Sequence, residues 1–143
     1  MLRQLEQRPT PRPASPPRPA LQPTPLHVRE AREFWQATDE PVAPAHWQTE
    51  LANVVWMAVR TGTLSANEGH RRLDFASRLR LRSVPIGSLW QSALTLSLDS
   101  GLSAYDTLFV ALARRRRLPL VTFDKQILKA FPDIAGRPSD MAI

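Results

Sequence analysis

Apolar positions along the chain fall into runs of two kinds, helical stripes and short continuous blocks, and their order carries most of the architecture. Between Ser103 and Arg116 the residues Tyr105, Leu108, Phe109, Leu112 and Ala113 repeat with the period of a helix that buries one stripe. Leu118, Pro119, Leu120 and Val121 then form an apolar block of strand length. Upstream, Trp47, Leu51, Val54, Val55 and Ala58 line one face of a helix over Ala45–Thr61, which Gly62 stops. Ser65 and Glu68 form an S-x-x-E box that opens a helix reaching Leu79, with Leu73 and Ala76 inward. Leu81–Ile86 reads as a strand interrupted near its end by Pro85. Ser88–Ser100 is a further helix that uses Leu89, Ala93, Leu96 and Leu98 and ends at Gly101. A short helix over Arg29–Ala37 with Ala31, Phe34 and Trp35 inward, a brief strand over Pro41–Pro44 and a closing helix over Lys125–Phe131 complete the set.

The order helix, strand, helix, helix, strand, helix, helix, strand, helix predicts an α/β domain with a short, mostly parallel sheet flanked by helices. A helix of about 13 residues descends roughly 20 Å and about six strand residues climb the same distance back. Asp106, in the first turn of the 103–116 helix, and Asp124, just past the following strand, are therefore expected at one edge of the sheet. Ligands gather at the carboxyl ends of such strands. Glu50, early in the helix after the Val42 strand, belongs near another of those ends.

Glu50, Asp106 and Asp124 are thus candidate oxygen ligands for a hard divalent cation, Mg²⁺ or Mn²⁺, able to activate water against a phosphodiester. Each has an ordinary reading as well. Ser103 and Asp106 have the spacing of a reciprocal N-cap, Asp124 precedes a helix as an N-cap does, and Glu50 suits the positive end of its helix dipole.

Composition adjusts this picture at the amino end. Met1–Val28 holds eight prolines (Pro9, Pro11, Pro13, Pro16, Pro17, Pro19, Pro23 and Pro25), four arginines and one acid, Glu6. Such density excludes helix and central strand, so residues 1–28 are expected to be a disordered tail, residues 29–135 the domain, and residues 136–143 a C-terminal tail. The tail has no apolar core of a secretory signal. No apolar run approaches the ~18 residues that cross a bilayer, and the 143 residues contain no cysteine. A soluble, cytoplasmic protein without disulfides, thiolate metal sites or a cysteine nucleophile is expected. The net charge of +6, carried almost wholly by arginine, favours a phosphate-bearing partner. Arg114–Arg117 is a cation run at a helix C-terminus, read first as complementing the dipole and second as a contact for RNA phosphates. His27, His46 and His70 lack ligand spacing and are expected at the surface. Trp35, Trp47, Trp56 and Trp90 lie on helices and are expected in core or interface. There is no glycine-rich phosphate loop and no nucleophile elbow.

Ser103, Ala104, Tyr105, Asp106 and Thr107, followed by Leu118–Asp124 as LPLVTFD, closely resemble the PIN-domain toxins of bacterial toxin–antitoxin pairs, the VapC family. Thr49–Val59, TELANVVWMAV, is similar to the second motif of that family, with Glu50 as its acid. The likeness runs from about Arg29 to Phe131. It implies a Mg²⁺- or Mn²⁺-dependent endoribonuclease cleaving RNA by metal-activated water, a cognate antitoxin and a homodimer. It assigns Asp106 as principal ligand, Asp124 as a second or water-mediated ligand, and Glu50 as a ligand or a group orienting the water. Members of the family open with an apolar strand ending in a metal-binding aspartate, and here the proline-rich segment stands in its place. Residues 1–38 contain no aspartate, and Asp39 precedes the Val42 strand, at the wrong edge. The arginine, proline, alanine and threonine of that segment are also what a GC-rich message yields out of frame. The sheet is accordingly expected to lack its first strand, with a flank unpaired. A catalytically dead PIN-like module that binds an antitoxin or RNA is the alternative function, and a basic nucleic-acid-binding regulator a third.

Overall fold

A computed structural model describes residues 25–141. Most of the segment expected to be a tail therefore lies outside the described residues, but its last four positions are already helical. Helix α1 spans Pro25–Ala37, strand β1 Val42–Pro44, α2 Trp47–Arg60, α3 Ala66–Ser77, β2 Arg82–Val84, α4 Trp90–Ser100 and α5 Ala104–Arg116. Strand β3 (Leu120–Val121), α6 (Lys125–Ala130) and β4 (Ala135–Gly136) follow, and 3-10 turns lie at Ile86–Ser88 and Pro138–Asp140.

Local chemistry sets these boundaries. Ser65 and Glu68 form both halves of the reciprocal cap that starts α3. Gly69 lets α3 press on α2, because a Cβ there would stand 3.0 Å from a Val59 methyl and 3.1 Å from one of Val55. Gly101 closes α4 in the left-handed region at φ 75°. Arg117 closes α5 in the same region at φ 55°, where Leu118 N–H returns to the Ala113 carbonyl at 3.0 Å.

The expected parallel sheet is present as two separate pairs. β1 pairs with β2, Val42 opposite Arg82, and β3 pairs with β4, Leu120 opposite Ala135. Among the described residues no strand joins the two pairs. β4 is an addition to the sequence-based element list.

Helix α5 connects what the sheet does not. Its Leu108, Ala111 and Leu112 share a core with Val84, Leu89 and Ala93. Its Val110 and Ala113 share another with Leu120, Ile127 and Phe131. A helix packed on two sides is buried almost all round, and the single stripe expected from its sequence is wider than drawn, although Tyr105 faces solvent. Thr107, fully buried, fixes α5 to α4: its hydroxyl donates to the Ala93 carbonyl at 2.8 Å and accepts from the Ser97 hydroxyl at 2.8 Å. A Thr hydroxyl has one proton, so Ser97 must be the donor of the second bond. At the other side, buried Glu30 of α1 pairs with Arg137 at 2.5 Å and ties the first helix to the C-terminal turn.

Candidate active site

The starts of α2 and α5 converge beyond the carboxyl end of β1. The chain leaves β1 at Pro44, turns through Ala45 and His46, and enters α2 with Glu50 in its first turn. His46 is the contact between the two helices. Its Nε2 lies 3.0 Å from the Tyr105 carbonyl, which only accepts, so that nitrogen carries the proton of the bond. Its ring meets Phe109 edge-on with centroids 5.0 Å apart. Nδ1 is buried without a hydrogen-bond partner. The expectation that His46 is a surface residue is thus corrected: its ring is needed to seat α2 on α5. The i, i+4 spacing of His46 and Glu50 is the one signal of this role in the sequence, and it reads as a helix-surface pair.

Glu50 Oε1 lies 3.8 Å from His46 Nε2. Burial pushes the Glu50 carboxyl above the usual carboxylate range; His46 pulls it back and the negative charge of Asp106 pushes it up again. Two of the three candidate acids therefore share one electrostatic field. Asp106 is oriented by its own helix start: Ser103 donates its hydroxyl to Asp106 Oδ2 at 2.7 Å and accepts from the Asp106 N–H at 3.3 Å. The cap reading therefore holds for this residue.

Asp124 follows β3, whose ladder continues through the Thr122 N–H to the Gly136 carbonyl at 3.0 Å. Its Oδ1 accepts from Gln126 N–H at 2.8 Å and Ile127 N–H at 3.2 Å, capping α6. Among the described residues, no three of His, Cys, Asp or Glu are gathered as ligands of one ion.

The arginine run stands elsewhere. Ten residues of helix separate Asp106 from Arg116, about 15 Å. Arg114 pairs with Asp133 at 3.3 Å and lies over the Phe131 ring, while Arg115 donates to the Ser88 carbonyl at 2.7 Å. These side chains close the far end of α5 against its neighbours, as its dipole favours.

The family model of the PIN domain matches residues 24–134 of this chain, helix α1 through the approach to β4. The chain belongs to the PIN-domain family. Over 87 residues it is 32% identical to Ribonuclease VapC3 of Pyrobaculum aerophilum, a match covering 58% of this chain and 65% of that relative. Within this PIN domain Glu50 lies in the first turn of α2, which follows β1, and Asp106 in the first turn of α5. The divided sheet is the form in which the α/β fold occurs here.

Proposed function

We propose that this PIN domain is a VapC-type endoribonuclease of a toxin–antitoxin pair, acting in the cytoplasm on RNA and held silent by a cognate antitoxin. The observation that carries this reading is that His46 joins the starts of α2 and α5, so that Glu50 and Asp106 stand near each other, close enough for the Asp106 charge to act on the Glu50 carboxyl. Like charges held together in a half-buried site are stabilised by a hard cation. Mg²⁺ asks for little more, since it commonly takes one or two carboxylates and completes its shell with water and substrate phosphate. Asp106 would be the principal ligand and Glu50 a second ligand or the group that orients the attacking water. Asp124 would act through water, because one of its oxygens is committed to α6. When bound, Mg²⁺ or Mn²⁺ supplies an acidified water and neutralises charge developing on the phosphate.

The protein's own contribution is positional. Ser103 fixes the Asp106 carboxylate, and His46 anchors the turn from which Glu50 projects. A homodimer belongs to the same proposal, supported by Trp90, Leu94 and Leu98, exposed at i, i+4 and i+8 on α4.

Asp106→Asn tests the assignment. It should abolish Mn²⁺-dependent RNA cleavage and weaken saturable Mn²⁺ binding while leaving the fold intact by circular dichroism, and cleavage at the parent rate would remove Asp106 from the site. A second reading, a non-catalytic module binding antitoxin or RNA, is favoured by the absence of a three-ligand cluster among the described residues. It requires that the parent chain show no saturable Mn²⁺ binding at all.

A further inference from the structure

Tyr105 is 64% exposed, although it stands on the helix whose middle is buried on two sides. A single exposed aromatic is ordinary on a protein surface, but this one is held beside the two acids. It precedes Asp106 in the first turn of α5. Its ring centroid is 6.0 Å from that of His46 at an interplanar angle of 44°, and the same imidazole has its Nε2 3.8 Å from Glu50 Oε1. Tyr105 and Glu50 are therefore neighbours of one buried ring.

The backbone beneath Tyr105 is fixed as well. Its carbonyl takes the His46 Nε2–H bond at 3.0 Å, and two residues on the buried Thr107 hydroxyl binds the Ala93 carbonyl at 2.8 Å. Other exposed aromatics have neighbours that account for them. Trp56 lies under the Arg60 guanidinium, 5.3 Å from its centroid, and Trp90 continues the apolar stripe of Leu94 and Leu98.

The acids lack something that this ring can supply. Carboxylates repel a phosphate backbone, and the arginine run stands about 15 Å down the helix. RNA lying beside Glu50 and Asp106 thus gains most from an uncharged foothold. Every nucleobase has a π-face, and a tyrosine, with two χ angles, loses little freedom when one stacks on it. We propose that Tyr105 is a stacking platform for the nucleobase next to the phosphate at the Glu50–Asp106 site, so that the site takes single-stranded RNA with little regard to which base it presents there. Within an A-form duplex both faces of a base are covered by its neighbours, so a paired strand must open before the ring can reach it. The proposal deepens the nuclease reading and rests on it for RNA as the ligand, while stacking itself needs no cleavage.

Tyr105 is the one tyrosine among the 143 residues, so the full chain made with 3-fluorotyrosine gives a single protein fluorine resonance, and that at the site. The probe is a mixed-sequence single-stranded RNA of about eight nucleotides, within the footprint of single-strand binders, added with Ca²⁺ in place of Mg²⁺. Expected is a saturable upfield displacement of the resonance, because a base stacked on the ring shields it. The same RNA annealed to its complement should leave the resonance unmoved. Tyr105→Ala should bind the single strand about tenfold more weakly. Tyr105→Phe keeps the π-face and should recover most of that loss. When each nucleotide in turn is made abasic, one position should cost the parent about tenfold and cost Tyr105→Ala nothing further. No saturable binding, an unmoved resonance at saturation, an equal displacement by the duplex, or full affinity in Tyr105→Ala would each overturn the proposal. RNA cleavage in Mg²⁺ with an unmoved resonance would remove the platform and leave the nuclease reading standing. A displaced resonance without cleavage in Mg²⁺ would uphold the platform and remove the nuclease reading.

Discussion

Glu50 shows how one residue records its surroundings. Its carboxyl is raised chiefly by burial, an effect that favours the neutral form in the folded chain. The sign of the linkage follows. Glu50 contributes its full stability below the ordinary carboxylate range, where both folded and unfolded chains hold the proton, and loses it as pH rises through the higher folded value. Near pH 7 the charge therefore opposes folding, and Glu50→Gln should stabilise the protein there. Half-exposure screens the effect to under about 1 kcal/mol, and the gain should vanish near pH 3.5. Urea melts of parent and variant at the two pH values measure it; a loss of stability at pH 7 would mean that attraction to His46 outweighs burial. The first-turn positions of Glu50 and Asp106 were legible from the spacing of their helices. His46 was not, since its partner is the carbonyl of Tyr105, 59 residues away, and nothing in the local pattern announces a long-range bond to backbone.

At the scale of elements, the caps were readable and the faces less so. Ser65, Ser103 and Asp124 each accept the backbone bonds their spacing promised. Faces drawn from periodicity went astray where a helix has more or fewer neighbours than one. Leu98 was placed inward on α4 and is 77% exposed, and Val54 on α2 is 59% exposed, because each helix packs on a narrower stripe than its leucines and valines suggest. Trp35, Trp56 and Trp90 are exposed, which removes the core half of their expected core-or-interface role and leaves the interface half. β4, two residues ending in glycine, has no period to read and exists only through its pairing with β3. The dual reading of Asp124 is resolvable at this scale. α6 is six residues long, too short to persist on propensity, and depends on its cap. Asp124→Ala should cost about 1 kcal/mol in chemical denaturation, whereas Asp124→Asn, an equally good cap, should stay within a few tenths. If the carboxylate also serves the proposed site, Asp124→Asn will nevertheless lower RNA cleavage. Full cleavage by that stable variant would leave Asp124 as a cap alone.

For the whole molecule, the consequence of a divided sheet lies in cooperativity. In a continuous sheet, loss of one strand pair propagates through the ladder of backbone bonds. Here the β1–β2 pair with its core under Leu89 and the β3–β4 pair with its core around Ile127 meet through opposite sides of α5 and through Leu96 of α4, which packs against both cores. Two-stranded pairs are marginal by themselves, so each depends on its own apolar cluster. Ile127→Ala removes a buried side chain from the second cluster and should destabilise that half by about 2–5 kcal/mol. Native-state amide exchange locates the damage: the Leu120 and Thr122 amides should exchange faster while those of Arg82 and Ala45 keep their parent rates. Equal acceleration in both sets would show that α5 is stiff enough to make one folding unit of two half-sheets. Independent acceleration would show that the backbone ladder, and not the helix beneath it, is what ordinarily makes a parallel sheet open as one.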